Sequence, residues 1–163
     1  MHHAGIDVAV LSWWGQHDKP HATDTQGVNT DAIMRVVLDS FEASRELNVT
    51  VAFHIEPYQG RSIATLRDDL RYITDTYGNY SCLHVSSPIS ALYSHFLLLC
   101  LHLHCIHHQR TAGRLVFYVY DSYHLHPAEW SRLLSPDGDI TVRGTDIDGY
   151  FVGTHIPLQI PSH

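Results

Sequence analysis

The chain has 163 residues, a length typical of one domain, with 44% hydrophobic and 17% charged residues, a composition typical of a folded globular protein. Its formal net charge of −7 argues against a general nucleic-acid binder, because such proteins need a basic surface to neutralise phosphates. The three cysteines (Cys82, Cys100 and Cys105) show no CxxC spacing, so neither a disulfide framework nor a zinc ribbon is indicated.

The first predicted strand, residues 6–14, is short, β-branched and almost entirely apolar, as expected for a strand covered on both faces of a parallel sheet. The polar stretch 16–30 has no periodicity and predicts a long loop. Thr30 is a suitable N-cap for a helix over residues 31–47. The apolar residues expected to share one face of this helix are Ile33, Val36, Val37 and Phe41.

A second unit follows the same plan. Residues 49–55 form a β-branched run that ends in the proline-glycine turn 56–60, which predicts another buried strand. Ser62 is the expected N-cap of a helix that Gly78 closes. The helical stripe, at steps of 3, 4, 3 and 4, consists of Ile63, Leu66, Leu70, Ile73 and Tyr77. The charged residues largely outside the stripe are Arg67, Asp68, Asp69 and Arg71.

Two further strands are predicted at residues 115–120 and 148–152, with a short helix between them that opens at Pro127. The alternation of strands and helices predicts a parallel sheet. Polar and aromatic residues follow successive strands, the units are similar in size, and no glycine-rich phosphate loop is present, which favours a barrel over a doubly wound sheet. The predicted fold class is therefore α/β, a partial (β/α)8 TIM barrel of about four βα units.

Five motifs, in order along the chain, resemble glycoside hydrolase family 99. They are V-A-V-L-S-W-W-G, V-A-F-H-I-E-P-Y-Q-G-R, Y-I-T-D-T-Y-G, F-Y-V-Y-D-S-Y-H and W-S-R-L-L-S-P-D-G. The resemblance covers residues 4–80 and 112–153. It implies a (β/α)8 barrel that cleaves internal α-mannosidic bonds of N-linked glycans in the Golgi without a metal or other cofactor.

The resemblance also implies that catalysis uses two glutamates in a run similar to W-H-E-G-T-x-x-E. This chain has no such run, and its glutamates are Glu42, Glu46, Glu56 and Glu129. We therefore assign no general acid and no general base, and we expect this chain alone to be inactive. The alternative function is that of a carbohydrate-binding fragment without catalysis.

The resemblance does imply residues of a sugar pocket. They are Trp13, Trp14, Asp24, Asn29, His54, Glu56, Tyr58, Tyr120, Asp121 and Tyr123. The tryptophans would supply an aromatic wall, Glu56 a carboxylate for sugar hydroxyls, and Tyr120, Asp121 and Tyr123 a polar and aromatic cluster. Structural alternatives remain open: one tryptophan belongs to the core, Glu56 and Asp121 serve turns, and Asp24 and Asn29 are solvated loop residues.

Two segments depart from the family pattern, so the expected domain is 1–153 with an unmatched insert at 79–112 and an unmatched tail at 154–163. We interpret both as products of an alternative transcript or an imperfect gene model, and we expect residues 79–110 to be loosely packed. The insert carries Cys100, His102, His104, Cys105, His107 and His108. Their spacing lacks the geometry of a structural zinc site, so a metal-binding protein is the less favoured third hypothesis.

The expected partner is a mannose-containing oligosaccharide. Because four strands cannot close a barrel, we also expect self-association through unpaired strand edges. The apolar run 96–101 is much too short to span a bilayer, and no signal peptide is recognisable at residues 1–5. The resemblance places the protein in the Golgi membrane or lumen, with the true beginning of the chain left open.

Overall fold

The computed structural model describes residues 5–19, 23, 26–86 and 113–153. Asp24, the part of the insert that carries the cysteines and histidines from Cys100 to His108, and the tail 154–163 lie outside these residues.

Four strands and three α-helices alternate along the chain, in the order predicted from the sequence. The strands are β1 (Val8–Trp13), β2 (Thr50–Ile55), β3 (Val116–Val119) and β4 (Tyr150–Gly153). The helices are α1 (Asp31–Ala43), α2 (Ile63–Tyr77) and α3 (Pro127–Leu134). The first helix ends earlier than predicted, at Ala43, and a 3-10 turn at Arg45–Leu47 takes up the remaining residues.

All four strands are parallel, and their order in the sheet is β1-β2-β3-β4. A doubly wound sheet reverses its strand order at a switch point, whereas a barrel wall adds each strand beside the previous one. The sequential order is therefore that of a barrel wall. The register joins four apolar residues in one row across the sheet: Leu11, Phe53, Phe117 and Phe151.

The two faces of the sheet differ in how well they are covered. One face packs against the helices, with Trp13, Phe53, Ile55 and Phe117 in the core. The opposite face includes Val10, which is 44% exposed. The prediction that the first strand is covered on both faces is therefore wrong for the described residues, because the sheet is covered by helices on one side only.

The predicted buried face of helix α1 is correct for Phe41, which packs against the core, but wrong for Ile33 and Val36. Its buried residues are Asp31, Met34 and Leu38, whereas Ile33 and Val36 are exposed. The helix carries apolar residues on more than one side, so periodicity alone does not identify the buried stripe. Thr30 also differs from expectation, because its hydroxyl donates to the Ser12 carbonyl at 2.7 Å instead of capping the helix.

Helix α2 confirms the predicted stripe, since Ile63, Leu66, Leu70, Ile73 and Tyr77 are all buried. Ser62 is the N-cap and forms a capping box with Thr65. One correction concerns Asp69, which is only 4% exposed although the sequence placed it among residues largely outside the stripe. Gly78 is the C-cap, in right-handed rather than left-handed helical geometry.

The first residues of the predicted insert, 79–86, pack against the sheet and form isolated bridges to it. Leu83 forms a parallel bridge to Val51, and Val85 an antiparallel bridge to Leu115. The side chains of Cys82 and Leu83 are buried. For these residues the expectation of loose packing is wrong, because they fill the space between the amino-terminal ends of β2 and β3.

None of the helices in the described ranges is both long and apolar enough to cross a membrane.

Candidate carbohydrate site at the strand ends

The carboxyl-terminal ends of β1, β2 and β3 lie side by side in one register. Trp13 pairs with Ile55, and Ile55 with Val119. Two backbone hydrogen bonds extend this alignment by one residue: the Glu56 amide donates to the Trp13 carbonyl, and the Tyr120 amide to the Ile55 carbonyl, both at 3.0 Å. The next position on each strand therefore forms a row that we call the rim row: Trp14, Glu56 and Tyr120.

His54 connects two members of the rim row. Its Nδ1 lies 3.1 Å from Oε1 of Glu56, and its ring meets the Tyr120 ring edge-on, with centroids 5.4 Å apart. Glu56 is only 7% exposed, so an uncompensated charge there would be costly. The imidazole provides a partner, because its Nδ1–H can donate a hydrogen bond to the carboxylate. Glu56 thus keeps its second oxygen as an acceptor for a bound hydroxyl.

Arg61 ties the ends of β2 and β3 together. Its guanidinium donates to the carbonyls of Tyr120 at 2.7 Å, Asp121 at 2.9 Å and Ile55 at 3.4 Å. Burial lowers the pKa of Arg61, and nearby acidic groups, among them Asp121 and Glu56, oppose that shift. The planar fork of an arginine is suited to holding two carbonyls at once. Arg61 therefore sets the spacing between the rim residues of the two strands.

Tyr120, Asp121 and Tyr123 follow β3 directly, and they are the residues expected from the sequence to form a polar and aromatic cluster. Both tyrosines are exposed, and Tyr123 lies in a short 3-10 helix, Ser122–His124, that begins after Asp121. Asp121 has a φ of 50°, an unusual left-handed conformation for a residue other than glycine. The hydrogen bond to Asp121 raises the pKa of Tyr123. An exposed aromatic pair beside a carboxylate is suited to a sugar ring and its hydroxyls.

Trp13 is a core residue, which agrees with the alternative that one of the two tryptophans belongs to the core instead of the sugar pocket. Its side chain is completely buried and stacks on Tyr72, with ring centroids 6.3 Å apart. The indole Nε1 donates to Asp31 Oδ1 at 2.8 Å. Trp14, half-buried at the end of the strand, is the tryptophan that stays available at the rim.

Asp31 is the centre of a buried hydrogen-bond network that the sequence did not reveal. The Tyr72 and Tyr77 hydroxyls donate to its two oxygens at 2.8 and 2.7 Å, and the His17 amide donates at 3.0 Å. Burial by itself raises the pKa of Asp31, but the hydrogen bonds from Trp13, Tyr77 and His17 outweigh it and hold the pKa below its usual value. The ionised carboxylate therefore fixes β1, α1 and α2 together.

Tyr58 points away from the rim row. Its hydroxyl donates to Asp69 and also contacts Thr65 Oγ1 at 3.2 Å, while Gln16 Nε2 donates to Asp69 at 3.1 Å. Burial raises the pKa of Asp69 to about 6, although the hydrogen bonds from Tyr58 and Gln16 oppose that shift. These side chains line a pocket of about 590 Å³ beside α2. Tyr58 thus belongs to this pocket and not with Glu56.

The two candidate residues in the first loop, Asp24 and Asn29, are not found in the rim row. Asn29 Oδ1 accepts a hydrogen bond from the Asp31 amide at 2.9 Å and so helps to begin α1. Asp24 lies outside the described residues. Within the described part of the chain, no group of three or more His, Cys, Asp or Glu side chains could hold a metal ion.

Sequence reasoning missed Asp31, Arg61 and Asp69 as important residues. Arg61 ends the second of the five family motifs, and Asp31 is the acidic residue in the first turn of α1. Both positions could therefore have been identified from the sequence. Asp69 gave no such signal, because a charged residue on a helix is ordinarily assigned to the solvent face.

The model of glycosyl hydrolase family 99 matches residues 1–159. A "Glycoprotein endo-alpha-1,2-mannosidase-like protein" of Homo sapiens is 32% identical over 151 residues, 91% of this chain and 27% of that protein. The "Glycoprotein endo-alpha-1,2-mannosidase" of Rattus norvegicus is 33% identical over 152 residues, 93% of this chain and 27% of that protein. The chain thus spans about a quarter of the length of these relatives.

Among solved structures, the GH99 endo-alpha-mannosidase from Bacteroides thetaiotaomicron is similar, with a TM-score of 0.62 and 32% identity. The alignment covers 93% of this chain and 34% of that one. The four-stranded parallel sheet and its three connecting helices therefore match part of a (β/α)8 structure, which confirms the predicted fold class. The motifs, the sheet order and the family match agree, and the chain belongs to glycosyl hydrolase family 99.

Proposed function

We propose that the rim row is the mannoside-binding part of an endo-α-1,2-mannosidase, acting on α-mannosides of N-linked glycans in the complete protein. The observation that carries this proposal is the alignment of Trp14, Glu56 and Tyr120 at the carboxyl ends of three adjacent parallel strands. Active sites of (β/α)8 enzymes are built at this end of the barrel.

The groups of the rim row suit a carbohydrate. A sugar presents hydroxyl donors around its edge and an apolar face of C–H groups. Glu56, held by His54, offers a carboxylate oxygen to the hydroxyls, and the exposed ring of Tyr120 offers an apolar surface. Asp121 and Tyr123 extend the same polar and aromatic surface away from the sheet.

We further propose that this chain binds the sugar without hydrolysing it. Glycosidases of this kind require two carboxyl groups that flank the scissile bond. Glu42 accepts hydrogen bonds from the Cys82 amide and Ser81, and Glu129 pairs with Arg132, so both are engaged elsewhere. Asp121 adds a second carboxyl group near Glu56, but the paired glutamates that the resemblance implies for catalysis, in a run similar to W-H-E-G-T-x-x-E, are not found in this sequence. The alternative function is that of a fragment that only binds carbohydrate. It uses the same site, and it differs from the enzyme hypothesis in that no further residues complete a catalytic site.

Binding is tested by titrating the 163-residue chain with an α-1,2-linked mannobiose and following the NMR signals of the tryptophan indoles. We expect the Trp14 indole signal to shift and the Trp13 signal to move much less, since the Trp13 indole is buried. Glu56→Gln should weaken binding at least about tenfold, the loss expected for a charge-assisted hydrogen bond. Glu129→Gln, a partly exposed glutamate on α3, is the matched control. Equal binding by both variants would contradict the proposed site.

Hydrolysis is tested separately, with a longer oligosaccharide that contains an internal α-1,2-mannosidic bond and with detection of the released fragments. We expect no turnover above buffer from the chain alone. Turnover that Glu56→Gln abolishes would show that this chain is catalytic and would overturn the proposal of binding without cleavage. Turnover unchanged in Glu56→Gln would indicate a contaminating mannosidase.

For the complete protein we propose a place in the Golgi, where N-linked glycans are processed. This rests on the family resemblance alone. Imaging of the tagged full-length protein beside a Golgi marker tests it, and a diffuse cytosolic signal would contradict it.

A further inference from the structure

The sequence contains two tripeptides of the form Asn-x-Ser/Thr, at residues 48–50 and 79–81. This pattern is the acceptor sequence for N-linked glycosylation, and modified sites lie in surface loops of proteins that pass through the secretory pathway. The two tripeptides are held differently in the fold, and this difference distinguishes them as acceptors.

Asn79 lies in an exposed turn directly after α2. Gly78 ends the helix, and the Tyr80 amide donates to the Tyr77 carbonyl at 3.0 Å, so the backbone forms a turn around Asn79. Ser81, the third residue of the tripeptide, is exposed as well. Within the described residues, no hydrogen bond of the Asn79 side chain is found. Its side-chain amide is therefore accessible from solvent.

The residues that follow Asn79 hold this turn in place. The Tyr80 hydroxyl donates to Asp39 Oδ1 and the Ser81 hydroxyl to Glu42 Oε1, each at 2.7 Å. Both acceptors lie on α1, so the turn is fixed to that helix by the neighbours of Asn79 and not by Asn79 itself. A large group attached to Asn79 can then extend into solvent without displacing these contacts.

Asn48 is also exposed, but its tripeptide runs directly into the sheet. It follows the 3-10 turn at Arg45–Leu47 with a φ of 54°, and β2 begins two residues later. Val49 is buried, and the Thr50 hydroxyl donates to the Asp7 carbonyl at 3.3 Å. The tripeptide at 79–81 thus lies in a surface turn, as N-glycosylation sites do, whereas the one at 48–50 is taken up by strand pairing.

We propose that Asn79 is the acceptor for an N-linked glycan when this chain passes through the secretory pathway, and that Asn48 stays unmodified. In the transfer, the side-chain nitrogen of Asn79 bonds to the anomeric carbon of an oligosaccharide carried on a lipid diphosphate. The bond between that carbon and the diphosphate oxygen breaks, and the amide nitrogen gives up one proton to the transferase. The lipid diphosphate is the second product. The proposal rests on the proposed place of the complete protein in the Golgi, because proteins reach that compartment through the secretory pathway.

The glycan is well separated from the proposed sugar site. Helix α2 begins after the carboxyl end of β2 and has 15 residues, which corresponds to a length of about 22 Å. Beyond Asn79, the Cys82 carbonyl accepts a hydrogen bond from the Val51 amide at 2.8 Å, near the start of β2. Asn79 therefore lies at the amino-terminal ends of the strands, opposite the rim row, and a glycan there leaves Glu56 and Tyr120 accessible.

The acceptor is tested by in vitro translation of the 163-residue chain, fused to a cleavable secretory signal, in the presence of microsomes. We expect the protease-protected chain to carry one glycan, detected as a single shift in gel mobility that peptide-N-glycosidase removes. Asn79→Gln and Ser81→Ala should abolish the shift, whereas Asn48→Gln should leave it unchanged. Ser81→Thr is the matched control and should retain the shift, because it keeps the hydroxyl that the acceptor sequence requires.

A protease-protected chain without a glycan would overturn the proposal. So would a second shift, or a shift that Asn48→Gln abolishes and Asn79→Gln does not.

A separate measurement distinguishes this proposal from the proposed location. The tagged complete protein, expressed in cells with its own amino terminus, should show the same glycosidase-sensitive shift, and Asn79→Gln should lack it. If the chain in microsomes is glycosylated at Asn79 and the complete protein in cells is not, the Golgi location is wrong and the acceptor role of Asn79 stands.

Discussion

The two faces of the sheet differ in how far their side chains are buried. On the helix-covered face, Trp13, Phe53 and Leu38 are almost fully buried, and even the polar Asp31 has its hydrogen bonds satisfied from several elements. On the other face, Val10, Tyr150 and Val152 are exposed. The first face contains most of the large buried apolar side chains. The second face carries Glu56, His54 and Tyr120, so the core and the proposed sugar-binding residues lie on opposite sides of the same strands.

The largest effect on the covered face is expected from Asp31→Ala. The change removes the acceptor of Trp13, Tyr72 and Tyr77 and leaves buried donors without partners, which should lower the free energy of unfolding by about 3–5 kcal/mol. Urea denaturation followed by tryptophan fluorescence measures it. Asp75→Ala, at an exposed position on α2, is the control. An unfolding midpoint that moves equally little in both variants would show that the network around Asp31 does not stabilise the fold.

A smaller effect, dependent on pH, is expected at Asp69. Its pKa in the folded chain is raised from 3.8 to about 6, so the folded chain keeps this proton to a higher pH than the unfolded chain does. The associated stability is fully present below the unfolded value and is lost as pH rises through about 6. Relative to Asp69→Asn, the unchanged chain should lose up to about 3 kcal/mol of unfolding free energy between pH 4 and 7.

Urea denaturation at half-unit pH steps measures this difference. Other titrating groups are common to both chains and cancel in the comparison. Asp75→Asn serves as the control and should leave the pH profile parallel to that of the unchanged chain. A parallel profile for Asp69→Asn as well would show that burial does not shift the pKa of Asp69.

Arg61 holds together the ends of β2 and β3, on which Glu56 and Tyr120 of the rim row lie. Arg61→Lys should lower the free energy of unfolding by about 1–2 kcal/mol, because an ammonium group cannot reach the Tyr120 and Asp121 carbonyls in the same fork. Hydrogen exchange should show faster opening at Tyr120. Arg71→Lys, in an exposed pair with Asp146, is the matched control and should cost less than about 1 kcal/mol. Equal losses of unfolding free energy at the two positions would show that Arg61 does not hold the ends of β2 and β3 together.

The smallest effect is expected on the solvent side of α1. Val36→Ala should change the free energy of unfolding by no more than about 0.5 kcal/mol, because its side chain is 67% exposed. Leu38→Ala, two residues away and buried, should cost about 2–5 kcal/mol. Thermal melts of both variants measure the contrast. A larger loss from Val36→Ala would favour the helix face predicted from the sequence over the observed one.

Local patterns were sufficient for the succession of elements and for the family. The β-branched runs became strands, the stripe of α2 was buried as predicted, and Ser62 capped that helix. These features depend on residues close together in the chain, and their physical basis, alternation and helical periodicity, acts over a few residues. The motif F-H-I-E-P also placed Glu56 directly after a strand, where the structure has it.

Tertiary contacts decided which polar residues are buried and what they bind. Asp31 is 41 and 46 residues from the tyrosines that donate to it, and Tyr58 turned to Asp69 instead of the rim. Trp13 and Trp14 are neighbours in the chain, yet one is core and the other lies at the rim, because successive residues of a strand face opposite sides of the sheet. The sequence by itself thus determined the strands, the helices and their order. The packing of helices onto one face determined which side of each strand is the core, since that choice depends on contacts between residues far apart in the chain.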